Sequence, residues 1–245
     1  VAGDESVGGA AATVEGEQTD DFLGYALTAG DEDGDGVDDL LVGAYGVDDG
    51  GTFRGRAYLL HGPLSGAMDP ATADARITGA ATDDYAGVAV GMGDLDGDGG
   101  AELLVGAGSA SVNGRFAGEV TVYDNPVGAL GTRTDATATI RGEAALDQVG
   151  YSLLVADLDG DGLGDVVTSA RGVGGEDGDG PGAVLVFSGP VTGTHGISDA
   201  DQRVDGVGER AEAGQSLATG DANGDGQADL LLSAWRHTDT AERQG

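Results

Sequence analysis

Four short segments concentrate the oxygen ligands of this chain. DEDGDGVDD (31–39), DLDGDGGAE (94–102), DLDGDGLGD (157–165) and DANGDGQAD (221–229) share the pattern D-x-[DN]-G-D-G-x-x-[DE]. Positions 1, 3, 5 and 9 are Asp31, Asp33, Asp35 and Asp39 in the first, and Asp94, Asp96, Asp98 and Glu102 in the second. They are Asp157, Asp159, Asp161 and Asp165 in the third, and Asp221, Asn223, Asp225 and Asp229 in the fourth. Alternation brings positions 1, 3 and 5 to one side of a tight loop, and the glycines at 4 and 6 permit the turn. Position 7 (Val37, Gly100, Leu163 and Gln227) can add its carbonyl, and position 9 closes the shell. A hard cation of calcium's size fits this donor set, so up to four Ca2+ are expected. Without one, each pair of carboxylates about 4 Å apart costs on the order of 1–4 kcal/mol, depending on the local dielectric.

Two rivals fail on the same residues. Solvated acidic turns also use Asp and Gly, but they do not require an acid at position 9 four times over. An EF-hand needs Glu at position 12 between helices, whereas position 12 here is Val42, Val105, Thr168 and Leu232, inside apolar runs.

The elements that must hold these loops repeat with them. Asp31, Asp94, Asp157 and Asp221 are spaced by 63, 63 and 64 residues. A Gly stands seven residues earlier (Gly24, Gly87, Gly150, Gly214), and twelve residues later comes a small residue followed by Ala (Gly43-Ala44, Gly106-Ala107, Ser169-Ala170, Ser233-Ala234). One strand precedes each loop (YALTAG, VAVGMG, YSLLVA, QSLATG) and a Val- and Leu-rich strand follows (DLLVGA, ELLVGA, DVVTSA, DLLLSA). The second is apolar at consecutive positions and is expected mid-sheet, covered on both faces. A third strand (GRAYLLHG, GEVTVYDN, GAVLVFSG) and a more polar fourth (ARITGA, ATIRGE, QRVDGV) follow, the fourth being expected at the outer edge.

Four strands per unit of about 63 residues predict an all-β fold, a β-propeller of four-stranded blades with the acidic loops between strands 1 and 2, and argue against a solenoid coil. The expected layout is one partial propeller over 1–245. Residues 1–18 supply an outer strand of a preceding blade, and the repeats span 19–81, 82–144, 145–208 and 209–245. The count of three third strands against four of each other kind predicts a segment of a longer propeller with apolar blade faces exposed at its ends, a strained four-blade closure being the alternative.

Composition removes whole classes of function. The 245 residues hold 44 Asp plus Glu against 11 cations, all Arg, for a net charge of −33, so no basic patch serves nucleic acid or anionic lipid. Cysteine is absent, so no disulfide or thiolate site is possible and any metal is expected to be held by oxygen. No run of about 18 apolar residues can insert into a membrane, and residues 1–10 lack a signal peptide's basic and apolar regions. Four Ca2+ would not absorb the acidic excess. The lack of Lys points to a high-salt habitat or GC-biased codons. His61, His195 and His237 share no repeat position and are expected on the surface without catalytic partners.

The Gly before the first strand, the DxDxDGxxD loop and the Gly-Ala pair resemble the FG-GAP repeat of the integrin α-subunit N-terminal β-propeller and its microbial relatives, over nearly the whole chain. Leu23, Ala86, Val149 and Ala213 stand where the family has its Phe, and Tyr45, Gly108, Arg171 and Trp235 where it has Pro. The resemblance implies a seven-bladed ring with calcium on one rim, a protein or carbohydrate partner on the opposite face, and an extracellular or cell-surface recognition or adhesion role without catalysis. Similar propellers in polysaccharide lyases and phospholipases imply the alternative of a propeller domain in a secreted carbohydrate- or lipid-processing enzyme. Topology puts Tyr45, Trp235 and the loops 45–54, 108–117 and 171–181 on the rim away from the acidic loops.

Overall fold

Apolar runs of Val and Leu, four to six residues long and bounded by Gly-rich turns, fold here as strands, and the acidic loops fall between them. The computed structural model describes residues 10–50, 52–124, 133–234 and 236. After β1 (Ala12–Val14) comes an antiparallel blade of β2 (Ala26–Gly30), β3 (Asp39–Ala44), β4 (Arg56–Leu60) and β6 (Ala75–Thr78), with β5 (Gly66–Met68) in the connection before β6. The second blade is β7 (Ala89–Gly93), β8 (Glu102–Ala107), β9 (Glu119–Tyr123) and β10 (Ala138–Arg141). The third is β11 (Val149–Ala156), β12 (Asp165–Ala170), β13 (Ala183–Phe187) and β15 (Gln202–Asp205), with β14 (Gly193–Gly196) ahead of β15. A fourth hairpin pairs β16 (Ala213–Gly220) with β17 (Asp229–Ala234). Among the described residues the only helical segments are three-residue 3-10 turns. The fold is all-β, a partial β-propeller.

Register sets where the loops sit. Gly30 pairs with Asp39, Gly93 with Glu102, Ala156 with Asp165 and Gly220 with Asp229. Position 9 of every loop is therefore the first residue of a second strand, clamped opposite the last residue of the first strand. β8 and β12 are buried throughout, as consecutive apolar residues between two layers should be. Leu41, Leu59 and Ile77 of blade 1 pack on Val90, Met92, Leu103 and Val105 of blade 2, and Leu104, Val120 and Ile140 of blade 2 meet Val149, Val166 and Leu185 of blade 3. Burying one such side chain contributes about 1.5–3 kcal/mol.

The recurring glycines are explained at one boundary. Gly87 has φ +83°, where a Cβ is strained, and it lies against the Arg56 carbonyl; a Cβ on Gly43 would overlap the Gly87 carbonyl oxygen. Blade 1 meets blade 2 backbone to backbone there, which only paired glycines permit. At the next boundary but one, Ser169 takes the place of the first glycine, and its Oγ accepts from Ser152 N–H at 3.1 Å.

The fourth strand is not the outer edge of blade 2. β14, from the third blade's strand 3–4 connection, pairs parallel to β10 outside it, Ala138 opposite Gly193 through Arg141 opposite Gly196. β5 pairs with β1 in the same way. The polar residues that suggested an edge are satisfied across this join: Thr139 and Thr194 hydroxyls lie 3.2 Å apart. At the two ends of the blade array, Leu27 on β2 is 61% exposed and Leu231 on β17 is 46% exposed.

Candidate functional site

Each acidic loop is wound by its own side chains. Position 1 accepts, through one carboxylate oxygen, the N–H of position 6: Asp31 from Gly36 at 2.8 Å, Asp94 from Gly99 at 3.1 Å, Asp157 from Gly162 and Asp221 from Gly226 at 3.0 Å. Position 3 accepts from the N–H of position 5 at 2.8–3.1 Å in all four. Position 9 accepts from the N–H of position 2, as Asp39 does from Glu32 and Asp165 from Leu158, both at 2.8 Å. The pattern is a charged carboxylate wrapped in amide donors, which fixes its direction.

The structure gathers positions 1, 3 and 9. One oxygen each from Asp31, Asp33 and Asp39 lies within 4.8 Å of the others, and the same holds for Asp94, Asp96 and Glu102 and for Asp157, Asp159 and Asp165. These sets can hold a metal ion. Asp31 Oδ1 and Asp165 Oδ1 are buried without a hydrogen-bond partner, so the cation would satisfy oxygens that the protein leaves bare. Position 5 is fixed in the same manner: Asp35, Asp98, Asp161 and Asp225 each accept, through one carboxylate oxygen, the N–H of position 7, Val37, Gly100, Leu163 and Gln227, at 2.8–2.9 Å. In the fourth loop the Asn223 amide Nδ2 donates to Asp229 Oδ1 at 3.2 Å, so a donor faces that acid. All the loop side chains from Asp221 to Gln227 are exposed.

Neighbouring loops are also tied to one another. Ala101 N–H donates to the Asp31 carbonyl at 3.0 Å, and Gly164 N–H to the Asp94 carbonyl at 2.7 Å. Between the first two loops lies an acidic cavity of about 420 Å³ that includes Glu32, Asp33, Asp98 and Glu102. Burial pushes the Glu102 carboxyl up to about 7 against the Leu95 N–H that favours its anion, with Asp96, Asp124 and Asp94 adding repulsion. Burial likewise raises Asp165.

Sequence reading missed two residues here. Glu32, 5% exposed, reaches His61, whose Nε2 is 2.9 Å from Glu32 Oε2. His61 is thus half-buried and bonded rather than a free surface histidine, because a buried carboxylate beside the loop draws it in. Burial raises the Glu32 carboxyl against the His61 hydrogen bond; burial opposes His61 protonation, but Glu32 and nearby acids raise it overall. His195 is also half-buried, against Phe187, and His237 lies outside the described residues. The available signal was the departure of Glu32 from Leu95 and Leu158 at the same loop position.

The opposite ends of these hairpins, about 17 Å away along a five-residue strand, present a different chemistry. The chain has four Phe, six Tyr and one Trp, and seven of these rings gather there: Phe22, Tyr25, Tyr45, Phe53, Tyr85, Phe116 and Tyr151. Tyr45 stacks on Phe22 at 4.8 Å and meets Tyr25 edge-on at 4.6 Å, while Phe53 stacks on Tyr85 at 5.4 Å. Tyr25, Tyr45, Tyr85, Phe116 and Tyr151 line a cavity of about 290 Å³ with Val88 and Ser109. The Arg171 guanidinium sits 3.4 Å from the Tyr151 ring centroid and donates to Gln215 and Gln148. Burial raises the Tyr45 and Tyr85 phenols, keeping them neutral donors. Trp235 lies outside the described residues.

The FG-GAP repeat model matches residues 23–60, 86–123, 149–187 and 213–236, more than half of the chain and one match per hairpin. The chain belongs to the FG-GAP repeat family. Over 88% of its length this FG-GAP chain is 30% identical to integrin alpha-PS2 of Drosophila melanogaster, and over 80% it is 31% identical to phosphatidylinositol-glycan-specific phospholipase D of Mus musculus. It spans 15% and 24% of those two proteins. The fold is shared with a rhamnogalacturonan lyase of Bacillus licheniformis, at a TM-score of 0.51 and 21% identity, covering 85% of this chain and 40% of the lyase. Within the FG-GAP repeats, two of the rim rings come from the residue before the expected Phe: Phe22 precedes Leu23 and Tyr85 precedes Ala86, both with φ +55°.

Proposed function

We propose that this FG-GAP segment is a non-catalytic, extracellular or cell-surface recognition scaffold. Ca2+ in the strand 1–2 loops stiffens one rim, and the aromatic rim at the far end presents the ligand surface to a protein or carbohydrate. The observation that supports this most is the segregation of chemistry along the first three hairpins, with gathered carboxylates at one end and seven rings at the other. Rings with hydroxyl tips give a surface that is apolar and hydrogen-bonding at once, which suits partners with both kinds of face. No described helix is long and apolar enough to cross a membrane. The test is binding of the calcium-loaded chain to arrayed glycans and extracellular-matrix proteins, repeated with Tyr25→Ala and Tyr151→Ala. Retained ligand that both variants lose is expected; binding indifferent to both would refute the rim assignment.

A second reading, the propeller module of a secreted lipid- or carbohydrate-processing enzyme, draws on the likeness to the phospholipase, which this chain matches over only a quarter of that protein. Turnover of phosphatidylinositol-glycan or polysaccharide by the isolated chain would replace the first reading with this one.

A further inference from the structure

We propose that blade 1 holds a second metal site, built from His61, Glu32 and Asp39 beside its acidic loop and selective for a borderline divalent ion such as Zn2+ or Co2+. The repeats serve as internal controls. At loop position 2 the other loops carry Leu95, Leu158 and Ala222, apolar residues of which Leu95 is fully buried, whereas blade 1 buries a carboxylate. At the end of the third strand, blades 2 and 3 carry Asp124 and Ser188 where blade 1 has His61. These two departures touch: His61 Nε2 lies 2.9 Å from Glu32 Oε2. Asp39 completes a set of three whose ligand atoms lie within 4.8 Å of one another.

A simple His–Glu ion pair explains only half of Glu32. Its side chain is 3% exposed, and Oε1 is buried with no hydrogen-bond partner. An aliphatic residue fits this position in two sister blades, so a buried carboxylate with a bare oxygen is a cost that a cation offsets. Asp39 accepts from Glu32 N–H and Gly62 N–H at 2.8 Å, and each oxygen keeps a second lone pair. Asp33 and Asp74 each place a carboxylate oxygen 3.9 Å from His61 Nδ1, so negative charge faces that edge of the ring and leaves Nε2 toward Glu32. His61 is a third exposed, which leaves an entry path. Imidazole nitrogen with two carboxylates favours zinc-like ions, while Ca2+ takes oxygen alone; a cation here replaces the proton shared by His61 and Glu32.

The experiment uses the whole chain, stripped by chelator, saturated with Ca2+ and titrated with Co2+ by visible absorption and with Zn2+ by calorimetry. One equivalent of each is expected, with Co2+ bands indicating a nitrogen ligand. His61→Ala and Glu32→Leu, the latter installing the residue of blades 2 and 3, should abolish that equivalent while Ca2+ uptake persists. No uptake at saturating Ca2+ would leave Glu32–His61 as an ion pair and overturn the proposal. Uptake surviving in both variants would place the ion in the oxygen-only loops and overturn it equally. A chain that binds Co2+ as expected but no Ca2+ would sink the calcium reading and leave this site standing.

Discussion

Chelating Ca2+ should lower the melting point of this chain by roughly 10 °C. Three loops each hold three carboxylates with oxygens within 4.8 Å of one another. Like charges at that distance repel by about 1 kcal/mol per pair in water and about 3.5 kcal/mol at an effective dielectric of 20. A cation reverses that term. With a dissociation constant of ~10⁻⁴ M and calcium near ~10⁻³ M, each loop gains about 1.4 kcal/mol, so three gain about 4 kcal/mol. For a chain of this size each kcal/mol moves the midpoint by about 2–4 °C. The fourth loop, exposed and with the Asn223 amide turned to Asp229, adds little. Differential scanning calorimetry in millimolar Ca2+ and in chelator, at matched ionic strength, measures the shift, and Asp165→Asn should remove about a third of it. A midpoint that moves by less than about 3 °C would refute the reasoning, because the acidic loops would then be ordinary turns.

In chelator, stability should fall as pH rises from about 5 to about 7. Glu102 has its folded pKa raised to about 7, so the native state holds a proton that the unfolded chain has already lost, and that advantage disappears above 7. Urea midpoints across pH check this, and a slope of opposite sign would contradict it. Gly87→Ala should destabilise by about 3 kcal/mol, from left-handed strain and overlap with the Arg56 carbonyl, whereas Gly24→Ala should cost only about 1 kcal/mol. Gly24 has φ +86° but nothing within 4 Å of the place a methyl would occupy, so the difference isolates the blade contact; equal denaturation midpoints would remove it. Leu103→Ala, at a fully buried site between blades 1 and 2, should cost about 2–5 kcal/mol, and Leu231→Ala, half exposed on β17, under about 1 kcal/mol.

The repeat period, the second strands and the gathered acids at positions 1, 3 and 9 were legible because each follows from local spacing: a glycine-permitted turn and a four-residue apolar run need no knowledge of distant chain. The parallel additions of β14 to β10 and β5 to β1 were not, since GTHG and GAM have no strand periodicity and are recruited by a neighbouring blade. The aromatic rim is assembled from Tyr25, Tyr45, Tyr85 and Tyr151, separated by 20 to 66 residues, and only the closing of blade on blade reveals it. Glu32 and His61 were visible as breaks in the repeat, but their meeting depends on how the third strand ends beside the first loop.

The backbone bonds from Ala101 to Asp31 and from Gly164 to Asp94 string the first three acidic loops together like links of a bracelet. Ordering one link restrains its neighbour before that neighbour has met an ion, so the entropy lost at the second step is smaller than at the first. Occupancy should therefore spread from the central link outward, with a Hill slope above unity, and a lesion in the middle loop should blunt uptake on both sides of it.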